Sequence, residues 1–107
     1  PDVAFVAQAR VPRGELPLKY WNGAPDLAVE VLSPGERTRE VDTKVREYLD
    51  CGATAVWVVR PRTRTVTVHH RGGPAHLFAE GDLLEDPVVM PGFRYPLKDL
   101  FEDLPRR

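Results

Sequence analysis

The chain has 107 residues, 42% of them hydrophobic and 29% charged, and a formal net charge of −1. That is enough for one domain and too little for two, and it lacks the overall basic footprint that marks many nucleic-acid binders. No apolar run approaches the ~20 residues that a membrane-spanning helix needs, and the one cysteine, Cys51, allows neither an internal disulfide nor a thiolate zinc site and fits a reducing, cytoplasmic setting.

Residues 2–6 read as a first strand, with Val3 and Phe5 on one face and Asp2, Ala4 and Val6 on the other. The chain opens on Pro1 directly before this strand, so a preceding segment of the fold is expected to be missing. Residues 8–26 hold three prolines and two glycines and read as a loop, pinned by Tyr20 and Trp21. Residues 27–32 form the next strand, closed on both sides by Pro25 and Pro34. Leu27, Val29 and Val31 make its apolar face, and Asp26, Ala28, Glu30 and Leu32 fall on the other. A half-buried Glu30 costs several kcal/mol unless a partner meets it.

A helix is expected over residues 39–51, with the apolar stripe Val41, Val45, Tyr48 and Leu49 and with Gly52 as its stop. Tyr48 reads as core. Lys44 borders the stripe rather than facing fully outward. Residues 55–59, Ala-Val-Trp-Val-Val, read as a strand covered on both faces. Strand, helix, strand in this order suggests a parallel crossover. Residues 65–69 alternate and read as an antiparallel partner with one wet face. Residues 75–79 and 83–90 read as short outer strands. A last helix starts near Pro96, with Leu97, Leu100, Phe101 and Leu104 as its apolar edge. His69, His70 and His76 read as surface residues, and Cys51 as a small packing residue rather than a nucleophile.

Asp2, Glu30 and Lys44 are the polar residues that a purely structural reading strains to place. Two carboxylates at one spot repel each other unless a cation bridges them. A hard divalent ion with oxygen ligands answers that, and Mg²⁺ suits one or two carboxylates completed by water and phosphate oxygens; Mn²⁺ is an alternative. A bound metal of this kind polarises a phosphate and lowers the pKa of a bound water. A lysine beside it offsets charge developing on the phosphate. The bland alternatives stay open: a solvent-facing Glu30, a surface Lys44, and arginine clusters that form a solvated face.

The chain resembles the Uma branch of the PD-(D/E)xK nucleases, the restriction-endonuclease-like proteins. The residues that carry the resemblance are Pro1-Asp2-Val3, Pro25 through Pro34, Asp42-x-Lys44-x-x-x-Tyr48, Gly52, Val56-Trp57-Val58-Val59, and the closing Met90-Pro91-Gly92-Phe93 with Leu97-x-x-Leu100-Phe101. The resemblance implies one α/β domain over residues 1–107 with a restriction-endonuclease-like core, a mixed β-sheet flanked by helices. It implies Mg²⁺-dependent hydrolysis of DNA. Asp2 and Glu30 would be the metal carboxylates, the Val31 carbonyl a further ligand, and Lys44 the catalytic amine. In the superfamily the lysine usually stands two residues after the second carboxylate, where this chain has Leu32. Arg37, Arg39 and Ser33 would lie beside the metal and touch phosphates. The alternative is the same fold without activity, used as a binding or oligomerisation module, and a homodimer is expected.

Overall fold

The computed structural model describes residues 3–5 by their backbone and residues 26–103 in full. The expected loop over residues 8–25, with Tyr20 and Trp21, lies outside the described residues, as do Asp2 and Leu104. The elements in chain order are β1 (Val3–Phe5), β2 (Leu27–Val31), α1 (Thr38–Asp50), β3 (Ala55–Arg60), β4 (Thr65–His70), β5 (His76–Phe78), β6 (Leu83–Asp86), β7 (Met90–Pro96) and α2 (Leu97–Asp103).

The first five strands form one mixed sheet in the order β1-β2-β3-β4-β5. Only β2 and β3 run parallel, with Glu30 beside Val58, and α1 is the crossover between them. β1 pairs antiparallel with β2, placing Val3 opposite Val29. β6 and β7 form a separate antiparallel pair.

Strand alternation divides the apolar residues between two cores, one on each side of the sheet. Leu27, Val29, Ala55, Trp57, Val59, Val66 and Val68 point to one side, against Leu84, Leu97 and Phe101. Ala28, Val56 and Val58 point to the other, under Val41 and Val45 of α1, with Leu32, Tyr48 and Leu49 at the margin. β3 is therefore covered on both faces, as its unbroken apolar run requires.

α1 ends as the glycine foretells. Gly52 adopts a φ of 115°, a left-handed conformation that costs a glycine little. Its N–H donates to the Leu49 carbonyl at 3.1 Å, and the Ala53 N–H donates to the Tyr48 carbonyl at 3.0 Å. These two bonds are a Schellman closure, which satisfies carbonyls left over by the last turn. Cys51, at the C-cap, is exposed rather than packed.

The expected outer strand over residues 83–90 is instead a hairpin. Pro87 brings no N–H to a ladder, the chain turns there, and the Val89 N–H donates to the Asp86 carbonyl at 3.2 Å. The turn sets Asp86 under the sheet, 1% exposed. Its carboxylate accepts the Trp57 indole N–H at 2.9 Å. His70 Nε2 stands 2.9 Å from both carboxylate oxygens. His70 is thus half-buried rather than a free surface residue: it follows Val66 and Val68 onto the face that the hairpin covers. Trp57 also packs on Phe93 of β7, with ring centroids 5.7 Å apart.

Asp86 is therefore the polar fastening between hairpin and sheet. Asp86→Ala leaves an indole N–H buried without an acceptor and should cost about 2–4 kcal/mol. Thermal unfolding would show this as a drop in Tm of roughly 8–32 °C, given about 4–8 °C per kcal/mol for a domain of this size. Asp86→Asn, which keeps one acceptor oxygen, should fall in between.

Candidate active site

Glu30 sits one residue before the C-terminal end of β2, and alternation places it on the α1 side with Ala28 and Leu32. It is 7% exposed. The Tyr48 hydroxyl donates to Glu30 Oε1 at 2.8 Å. A carboxylate held in an apolar layer is costly unless hydrogen-bonded, and this bond answers part of that cost. Tyr48 thus does more than fill core. Its ring packs beside Val41 and Val45 while its hydroxyl reaches the acid.

Lys44 lies four residues before Tyr48, about 6 Å along the helix axis and on the same side of it. It is exposed. Helical side chains lean toward the N-terminus, so Lys44 leans toward the loop that follows β2. Val31 closes β2 and is half-buried. The Leu32 N–H donates to the Val59 carbonyl at 2.9 Å, so the chain stays on the sheet one residue longer.

Ser33 opens the loop to α1. Its N–H donates to Glu36 Oε1 at 3.1 Å, and its carbonyl accepts the Glu36 N–H at 3.3 Å. Gly35 holds this turn with a φ of 94°. Arg37 is the N-cap of α1, its carbonyl accepting the Val41 N–H at 3.1 Å. Arg37 and Arg39 are both exposed. Asp26, at the far end of β2, uses its carbonyl to accept the N–H groups of Thr54 and Ala55 at 3.0 and 3.1 Å.

The structure therefore brings Glu30 and Tyr48 into contact, with Lys44 on the same helix, Ser33 and Arg37 along the loop before it, and Arg39 in its first turn. Asp2 lies outside the described residues. The donor atoms that can be placed, the Glu30 carboxylate and the backbone at Val31, are oxygens, which suit a hard cation such as Mg²⁺ better than a soft one. Among the described residues no group of three or more His, Cys, Asp or Glu side chains could hold a metal ion. His69, on the same side of the sheet as Glu30, is half-buried. Burial first, and then the Arg60 charge, lower its pKa below the ordinary histidine value, so it is neutral at pH 7 and adds no cation. No helix among the described residues is long and apolar enough to cross a membrane.

Sequence reasoning passed over Tyr48 as a site residue. The signal was its spacing: four residues from Lys44, on the stripe that faces the strand bearing Glu30.

The model of the family Uma2, described as "Putative restriction endonuclease", matches residues 1–98. Four chains of solved structures match. One of them is described as a putative nuclease belonging to DUF820 from Anabaena variabilis, with 30% identity and a TM-score of 0.67. The match covers 74% of this chain and 45% of the Anabaena chain, so this chain spans less than half the length of that relative. A comparison with curated proteins finds no match.

Tyr48→Phe should cost about 1.5–3 kcal/mol, the value of a bond to a charged acceptor. Urea denaturation of Tyr48→Phe, Glu30→Ala and the double variant measures it. The two losses should be clearly non-additive, because each removes the same bond.

Proposed function

The chain belongs to the Uma2 family, and from that premise we propose that it is a metal-dependent nuclease hydrolysing phosphodiester bonds of DNA. The observation that carries the reading is the near-complete burial of Glu30 between sheet and helix, with the Tyr48 hydroxyl bonded to it at 2.8 Å. An acid buried in a strand costs stability unless it is hydrogen-bonded, and here one partner comes from the helix that also carries Lys44.

In this reading Glu30 and Asp2 hold Mg²⁺, or Mn²⁺, with the Val31 carbonyl as a further ligand. The pairing of described residues supports the place of Asp2: Val3 opposes Val29 across the antiparallel strands, Asp2 precedes Val3, and Glu30 follows Val29. Bound there, the metal would supply a nucleophilic water and polarise the phosphate. Tyr48 fixes the rotamer of Glu30, so the acid is oriented before any ligand arrives. Lys44, on the exposed edge of α1, is a positive charge that a scissile phosphate can approach. Its role is to offset charge developing on the phosphate oxygens. Arg37, Arg39 and Ser33 contact neighbouring phosphates, which position the substrate without reading its sequence.

A homodimer belongs to the same reading. β5 ends the described sheet, and its Leu77 is 63% exposed; an open edge of this kind is a template for pairing with a second copy. The lone Cys51 is in keeping with a cytoplasmic location. The alternative, an inactive module of the same fold, would keep the fold and lose the metal.

Incubation with supercoiled DNA and Mg²⁺ tests the proposal. Glu30→Ala and Lys44→Ala should each lower nicking about 100-fold or more, the scale of losing one group that stabilises transition-state charge. Glu30→Ala should also abolish the heat of Mg²⁺ binding, while Lys44→Ala should retain it. Equal nicking by all three proteins would end the nuclease reading, and no heat of Mg²⁺ binding to the wild type would favour the inactive module.

A further inference from the structure

A groove of about 700 Å³ opens where β2 and β3 end. One wall is the loop from β2 to α1, with Ser33, Glu36 and Thr38; the other is the turn from β3 to β4, with Arg60, Arg62 and Arg64. Glu30 and Lys44 do not line it. It begins at Leu32, two residues past Glu30, or about 7 Å along the strand. Crevices beyond the carboxyl ends of parallel strands are where α/β sheets most often bind ligands.

The charges of the three arginines are not equally committed. Arg64 pairs with Glu80 and lies over the Phe101 ring, its guanidinium 5.6 Å from the centroid. Arg60 is half-buried and fixed by a neutral partner, Nη1 donating to Thr67 Oγ1 at 2.8 Å. Its charge is left standing, and it is felt at His69. Arg62 is exposed at the tip of the turn. Among the described residues neither Arg60 nor Arg62 forms an ion pair. Among the described lining residues the one carboxylate, Glu36, accepts the Ser33 N–H on its own wall. The groove thus offers a guanidinium held by a neutral partner, an exposed one, and the hydroxyl residues Ser33, Thr38 and Thr63 in its lining.

We infer that this groove binds the sugar–phosphate backbone of the nucleic acid next to the bond that is cut, with Arg60 and Arg62 each on a phosphate. The inference rests on the nuclease reading for the place of the scissile bond, and goes beyond it in assigning the β3–β4 turn to substrate. Guanidinium forks match phosphate oxygens and read no bases, so binding here is independent of sequence.

The experiment is fluorescence anisotropy with end-labelled 12-nucleotide single strands and 12-base-pair duplexes of two unrelated sequences, in EDTA, from 50 to 200 mM salt. Wild type, Arg62→Ala, Arg60→Gln and the distant control Arg94→Ala are compared, after circular dichroism shows each folded. One phosphate contact contributes a slope of about 0.9 in log K against log salt. The advantage of wild type over Arg62→Ala should therefore shrink about 3.5-fold across that range on the duplexes and about 2.6-fold on the single strands, where the slope per contact is about 0.7, equally for both sequences. Arg60→Gln should behave alike, and Arg94→Ala should match wild type. An unchanged slope in both groove variants, or no binding by wild type to any probe, overturns the inference. A sequence preference that the groove variants remove overturns it as well. Nicking of supercoiled DNA by wild type and Glu30→Ala is run beside it. Loss of the slope without Glu30-dependent nicking removes the nuclease reading and leaves the groove.

Discussion

The molecule is arranged around an acid that a sheet would ordinarily exclude. Glu30 occupies the fourth position of a five-residue strand whose other buried positions are all apolar. Its neighbour in β3 is Val58, fully buried, and α1 closes over it. Every nearby element has to accommodate that group. α1 presents Tyr48 to it, and the parallel pairing of β2 with β3 fixes the height at which the two meet. The chain then leaves the sheet through Leu32 and Ser33, which carries the loop and the first turn of α1 out beyond the strand ends.

The opposite face of the sheet has a different task. Trp57, Phe93 and the Asp86 carboxylate join the β6–β7 hairpin to the central strands, and α2 adds Leu97 and Phe101 to the same layer. This second layer leaves both strands that lead into the site covered from behind. A carboxylate held within tenths of an ångström needs such backing, because a strand that could bow away would carry its side chain with it. Asp86 and Glu30 are the two acids buried among the described residues, and they sit on opposite sides of the sheet, one fastening the layers and one facing α1.

Much of this could be read from the residues. The uninterrupted apolar run at 55–59, the alternation at 65–69 and the glycine after α1 each speak through a local rule, and the mixed sheet with its helices follows from their order. Glu30 stood out as a carboxylate in the middle of a strand, on the face opposite Leu27, Val29 and Val31, although periodicity left a solvent-facing reading open. What could not be read are pairings that depend on distance in the chain. The Trp57–Asp86 bond spans 29 residues, and the Tyr48–Glu30 bond spans 18. An aromatic on a helix stripe buries its ring whether or not its hydroxyl finds an acid, so periodicity does not separate the two roles. His70 was misread because alternation states which face a side chain takes and not what will cover that face. The hairpin after residue 82 was misread because Pro87 was counted within a strand rather than as its end.

Cys51 has a use that follows from its position. It stands three residues past Tyr48, exposed at the C-cap of α1, and no other thiol exists in the sequence. A maleimide-linked dye or spin label would therefore attach at a single known point, within one helical turn of the hydroxyl that holds Glu30. The chain carries its own attachment site for spectroscopy, and movements of α1 against the sheet can be followed without engineering a residue.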